Sequence, residues 1–389
     1  MRQHFPTQED VSFQPELHQA NIWGYYESLL PHGETFWAAE QRSFVVQGYT
    51  AADRVLRSRT FSADHPFRRS RLAFGRTVID TEGRDHRAQR QFVSAELSGG
   101  ALRGIVEKTV LPVVDHLVQA AVRRRVTDFH QQYGLVLPWR VACRLVGVEE
   151  SAASALEPAV VALTRYLDDS TLPTELILRS REAIEAHTRE RLEQATSGLL
   201  ARAKGVITDG VLSEDAAVRT TAIVLAAATQ TTVGALGIMM HTLVTQPAWQ
   251  TALRAGEVSV PAFVREILRW EPPLHQLLRF ATETTRLGKH HVAAGSPIQV
   301  NLASANRDPE IFPFPDLFDP TRTGAADLTF GRGIHACPGA QLATAELELT
   351  LQGFLDATSW ISADHAAPLA GHNFRVAPEL RIRCEGKVD

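Results

Sequence analysis

Cysteine is scarce in this chain: three residues among 389, Cys143, Cys337 and Cys384, far apart in sequence. An odd, widely spaced set excludes a disulfide framework, and without a cysteine cluster an iron–sulfur centre is excluded too. A reducing compartment is the expectation. An excess of one charge is also lacking, since 40 Lys+Arg stand against 44 Asp+Glu for a net charge of −4. That balance argues against nucleic acid as a partner. Met1 to Asp10 is polar, with no apolar run behind Arg2, so neither a secretory signal nor an N-terminal anchor is expected and the protein reads as cytosolic. Repeats, low-complexity tracts and Gly/Ser linkers are missing as well. The length admits two or three domains, but nothing marks a boundary between them.

Long hydrophobic runs are nearly absent. The one charge-free stretch of near-membrane length is Ala222 to Met240, and its middle reads Thr229-Gln230-Thr231-Thr232. Four consecutive polar side chains at bilayer depth would be costly to desolvate, which makes a helix buried in a protein core the better reading. Apolar residues at helical spacing predict further helices over Ala101 to Val122, Ile184 to Ala203, Pro261 to Trp270 and Gly339 to Phe354. Short strands are predicted at Thr35 to Ala39, Ser43 to Val46 and Ser296 to Leu302. Between Pro309 and Phe330 four prolines and Gly324 predict coil.

That coil leads into Phe330-Gly331-Arg332-Gly333-Ile334-His335-Ala336-Cys337-Pro338-Gly339-Ala340. Pro338 suits the first position of a helix, which would put Cys337 at the N-cap, where free N–H groups favour a thiolate. The glycines allow backbone to approach a flat ligand closely. A single thiolate on such a loop suits one axial bond to a haem iron better than zinc, which needs three or four protein ligands. Gly331-x-Gly333-x-x-Ala336 also matches a relaxed dinucleotide fingerprint, but it follows coil where that motif needs a strand. Cys143 and Cys384 read as small buried hydrophobes.

The segment Phe330 to Gly339 resembles the cysteine-ligand loop of the cytochrome P450 superfamily, in its soluble bacterial type. The resemblance implies one mainly α domain with small β-sheets over residues 1–389. In it a haem b, iron protoporphyrin IX, lies buried between the central long helix and the cysteine-loop helix. It implies Cys337 as axial iron ligand within a loop framed by Phe330 and Gly339, and dioxygen as co-substrate. Glu266 and Arg269, with Arg322 from Phe318-Asp319-Pro320-Thr321-Arg322, resemble the family's structural charge network, in which Arg265 is a competing partner. His86 and Arg90, four apart on one helical face, match haem-propionate contacts, as do Arg279 and His335.

Ala227 and Ala228 resemble the small residues that leave room for oxygen and substrate, and Thr231 the threonine that steers protons. Here the chain departs from the pattern, because the acid that normally precedes that threonine is Gln230. An amide hydrogen-bonds but supplies no proton by ionising. Either Gln230 alters the reaction, towards coupling or ring closure, or it merely tunes a water network. The loop from about Phe61 to Ile79 would cover substrate with Phe67, Leu72 and Phe74; its His65, Arg68, Arg69, Arg71 and Arg76 read either as a receptor for a carboxylate or carrier-bound substrate or as a solvated basic face. Leu274, His275 and Gln276 are further pocket candidates. Electrons would come from an external ferredoxin or flavodoxin with its reductase, meeting Arg84, Arg87 and Arg332. The implied protein is a cytosolic, monomeric monooxygenase of natural-product biosynthesis. The competing reading, a non-catalytic haem-fold helper for a partner enzyme, has no need of Cys337, Thr231 or the propionate contacts.

Overall fold

Short apolar strands from distant parts of the chain meet in one six-stranded sheet, in the order Asp10–Val11, Thr35–Ala38, Ser43–Val46, Pro297–Asn301, Gln276–Ala281, Phe61–Ser62. The computed structural model describes residues 10–169 and 171–387. Ser43–Val46 is buried along its whole length, as its unbroken Phe-Val-Val run requires of an interior strand. It runs parallel to Pro297–Asn301, which is antiparallel to Gln276–Ala281 in a register that sets Arg279 opposite Ile298. Phe44, Val46, Val55, Leu56, Ile298, Val300 and Leu328 form the core against this sheet. Asn301 ends the strand, because its side-chain oxygen accepts from Ser304 N at 3.1 Å and starts the short helix Leu302–Ala305. From there to the turn Gly333–His335 no regular element forms among the described residues, as the prolines predict.

These segments belong to the first of two compact units, made of the chain up to His65, Pro261–Cys337 and Pro368–Val376. The second comprises Pro66–Val260, Pro338–Ala367 and the chain from Ala377 onward, and it is mostly helical. Its axis is the 32-residue helix Glu214–Thr245, opened by Ser213, whose hydroxyl accepts from Ala216 N at 3.2 Å. Val136–Val146, Thr174–Leu192, Gly198–Thr208, Gly83–Ser94 and Ala340–Ala357 all pack on it. It is long and apolar enough to cross a membrane, yet 72% of its most hydropathic window is buried, so it is a core helix of this fold.

Two predicted helices are interrupted. Ile184 to Ala203 divides into Thr174–Leu192 and Gly198–Thr208, because Gly198, at φ +67°, crosses Gly147 so closely that an added Cβ would sit 2.6 Å from Gly147 N. Ala101 to Val122 contains a wider π-type turn, Val106–Val110, just before Pro112, whose missing N–H breaks the regular ladder. Cys143 and Cys384 are each 2% exposed, and burial pushes their thiols up to about 12 and about 11.

Candidate active site

In the first unit, backbone hydrogen bonds shape the cysteine loop. Asn306, fully buried, accepts from Leu328 N at 2.6 Å and donates to Thr329 Oγ1 at 2.9 Å, while that hydroxyl donates to Leu268 O at 2.7 Å. Gly331 N bonds Leu328 O and Cys337 N bonds Phe330 O, both at 2.8 Å, so the loop closes on itself and leaves Cys337 exposed. Gly331 and Gly333 take φ +65° and +72°, and a Cβ on Gly333 would come within 2.5 Å of Leu56 O. Only glycine fits there without a shift. One expectation needs correcting: the helix is Ala340–Ala357 with Gly339 as its N-cap, so Cys337 stands two residues ahead of the cap. Pro338 and Gly339 form a turn, and the first helical bond closes from Ala343 N to Gly339 O.

A buried charge network braces the coil before this loop. Arg269 holds Glu266 with two bonds, Nε–Oε2 at 2.8 Å and Nη2–Oε1 at 2.7 Å, and both residues are 3% exposed. Arg322 reaches Oε1 at 3.5 Å. The two arginines also donate to the carbonyls of Asn306, Pro313, Phe314, Pro315 and Leu317. Arg265 is exposed and forms no ion pair among the described residues, so it does not compete. Arg279 is 4% exposed on its strand, Phe330 and His335 are half-buried, and Arg332 donates to Ala326 O and Asp327 O beside Asp53.

A second network joins residues too far apart in the chain to be read as partners. Glu271, 2% exposed, accepts from Trp23 Nε1 at 2.6 Å and Arg375 Nε at 2.8 Å, and the Arg307 guanidinium lies 3.3 Å from the centre of the Trp23 ring. His275, expected to line a pocket, belongs here instead: it has no exposed surface, and Tyr26 Oη lies 3.1 Å from its Nδ1. Burial first, then Arg375 and Arg307, hold its imidazole well below the usual histidine range. It is therefore neutral and packed. Neighbouring Leu274 is half-buried and bridges to Phe374.

In the second unit, Gly83–Ser94 carries His86, 3% exposed, and half-buried Arg90 on one face. Between them Gln89 accepts from Thr220 Oγ1 at 3.1 Å and ties this helix to Glu214–Thr245. Along that long helix burial is continuous from Thr220 to Ala226 and from Thr232 to Met240, but Ala227 is exposed and Ala228, Thr229, Gln230 and Thr231 are half-buried. Thr229 and Thr231 donate to the carbonyls four residues back, Leu225 at 2.7 Å and Ala227 at 3.2 Å. Gln230 makes no hydrogen bond among the described residues.

The covering loop differs from a solvated basic face. Asp80, fully buried, accepts from Ser70 Oγ at 2.6 Å and pairs with Arg68 Nε at 2.9 Å; Arg71 donates to its carbonyl at 2.8 Å. Burial raises the Asp80 carboxyl against the lowering effect of Arg68. Arg69 donates to Leu167 O and Asp168 O at the end of the helix Glu157–Asp168. Phe74 is buried, Leu72 half-buried and Phe67 85% exposed.

The second unit thus leaves its core helix uncovered over five residues, and the first presents an exposed cysteine on a loop closed by its own hydrogen bonds, a residue type able to supply a thiolate ligand. The comparisons agree. The cytochrome P450 family model matches residues 173–370, and the chain belongs to that family. It is similar to the cytochrome P450 monooxygenase PikC of Streptomyces venezuelae, 29% identical over 84% of this chain and 79% of that one. The erythromycin C-12 hydroxylase of Saccharopolyspora erythraea is 31% identical over 71% and 66%. The fold matches that of CxnD, a cytochrome P450 enzyme for C–S bond formation in chuangxinmycin biosynthesis, with TM-score 0.87 and 20% identity over 98% and 99% of the chains. The chain is thus an oxidoreductase of the P450 monooxygenase type, a family that uses haem with a cysteine thiolate ligand.

Proposed function

We propose that this chain oxidises a small natural-product intermediate in the cytoplasm, with Cys337 as the iron ligand and Gln230 and Thr231 governing proton delivery. The observation that carries the reading is the opening at Ala227–Thr231 in a helix buried on both sides of it. His86, Arg90, Arg279 and His335 would hold the haem propionates. Ala227 and Ala228 leave space for oxygen and substrate. When bound, the haem supplies the iron at which dioxygen is reduced by electrons from outside the chain. Phe67, Leu72, Phe74 and Leu274 are the proposed substrate contacts.

The chain's own chemistry at this opening is proton handling. The Thr231 hydroxyl, donating to Ala227 O, keeps its lone pairs free to accept a hydrogen bond from a donor such as water. Gln230 offers an amide that neither gives nor takes a proton near neutral pH. Protons must therefore come from water, from substrate or from a residue elsewhere, which couples reductant use to product less tightly than an acid at this position would. Oxygen insertion and oxidative coupling or ring closure both belong to this reading; the names of the hydroxylase and of CxnD show that relatives and fold neighbours span such chemistry. Exposed Arg84 and Arg87, with Arg332, are the proposed docking cations for an acidic ferredoxin or flavodoxin. Reduction that is insensitive to salt would count against that surface.

The test is Gln230→Glu. Restoring the acid should raise product formed per reductant consumed, by several-fold if proton supply limits coupling. An unchanged ratio would remove Gln230 from the mechanism.

A further inference from the structure

The helix Gly83–Ser94 buries only four side chains, His86, Gln89, Phe92 and Val93, and two of the four are polar. Apolar contact has no direction, so Phe92 and Val93 hold this helix against its neighbours without fixing how far it slides or turns. Direction comes from a buried bond. Thr220 Oγ1, on a residue with no exposed surface, donates to Gln89 Oε1 at 3.1 Å, and Gln89 is 3% exposed. Just past the last turn, Arg202 also grips Glu96 at 2.8 and 3.0 Å, but that contact is exposed and ties the helix to Gly198–Thr208 instead of to the long helix. A polar pair inside an apolar contact fixes register, because sliding by one turn would leave both groups buried and unpaired.

Helical periodicity gives the bond its consequence. Ala227 follows Thr220 by seven residues and Thr231 follows it by eleven, two and three turns of unbroken helix, so both lie within about 20° of the face that carries Thr220. Gln89 lies one turn after His86 on a shared face and directly before Arg90. The bond therefore joins the face of the long helix that opens at Ala227–Thr231 to the face of its neighbour that carries His86. We propose that Gln89 and Thr220 are positioning residues for the haem: their bond sets where His86 and Arg90 stand along the long helix, and so how firmly the propionates are held. This role rests on the proposed contacts of His86 and Arg90 with those propionates.

Transfer of haem from the loaded protein to excess apomyoglobin, with the thermal midpoint measured alongside, separates positioning from stability. Gln89→Leu and Thr220→Val should each lower the midpoint and speed haem release about fivefold, since each leaves the other partner buried and unpaired. The double variant should regain most of the midpoint, having no orphaned group, yet keep the fast release, because no directional contact remains. Thr220→Ser, which retains the hydroxyl, should release haem at the parent rate.

His86→Ala and Arg90→Gln check the reading beneath, and both should release haem faster than the parent. If they do not, the propionate assignment falls and the positioning role with it. If they do, while the single variants or the double variant release haem at the parent rate, the propionate assignment stands and the positioning role is overturned, the bond being a contributor to stability alone. Fast release from Thr220→Ser overturns it too, since packing of the threonine methyl group would then be what holds the helices in place.

Discussion

The cysteine loop and the middle of the long helix carry the two halves of the proposed chemistry, and they are built by opposite means. Around Cys337 the conformation is fixed by backbone: two glycines at positive φ, carbonyls gripped by Arg269 and Arg322, and Asn306 pinning Leu328 and Thr329. At Ala227–Thr231 the backbone is ordinary helix, and character comes from side chains alone, two alanines, two threonines and an amide. Ligand geometry is thus expected to tolerate little change, whereas the long helix is expected to accept Gln230→Glu without loss of fold. The contrast places the chain's individuality in the helix.

The largest effect expected is at the loop. Glu266→Ala leaves Arg269 buried without its partner and should cost about 3–5 kcal/mol, with loss of haem retention. Denaturation midpoints and haem content after gel filtration check this; a mild effect would mean the network is not what shapes the loop. Next comes Gly333→Ala, which combines a left-handed backbone with a contact to Leu56 O. A loss of about 1–3 kcal/mol is expected, greater than for the same change at exposed Gly83, where a Cβ meets nothing. Equal losses at both glycines would show that backbone conformation alone matters.

The smallest effect belongs to the second unit. Glu346 on Ala340–Ala357 is 2% exposed, its Oε2 has no partner among the described residues, and burial holds its carboxyl well above the usual range. The unfolded chain releases this proton near pH 4.5 while the folded one retains it, so this group's contribution to stability falls as pH rises above that value. Glu346→Gln removes the slope: the variant should gain on the parent between pH 5 and 7.5 in urea titrations. A parallel pH dependence would mean the carboxyl finds a compensating partner.

Much of this was legible in sequence for a physical reason. The cysteine loop and the uncharged helix are local patterns, and Glu266 and Arg269 lie on one turn. Asp80, Glu271 with Arg375, and Gln89 with Thr220 escaped because their partners come from separate elements that only the fold brings together. His275 was misplaced for the same reason, since nothing near it in sequence announces Trp23 and Tyr26. The break before Gly198 depends on a crossing with Gly147 that helical periodicity does not encode.

The central claim is that Cys337 supplies a thiolate to haem iron. Reduction of the haem-loaded protein under carbon monoxide measures it most directly. A red-shifted Soret band of the thiolate type is expected in the parent chain, replaced by a neutral-ligand band in Cys337→Ser. A parent chain without the thiolate band, or a serine variant that keeps it, would contradict the account.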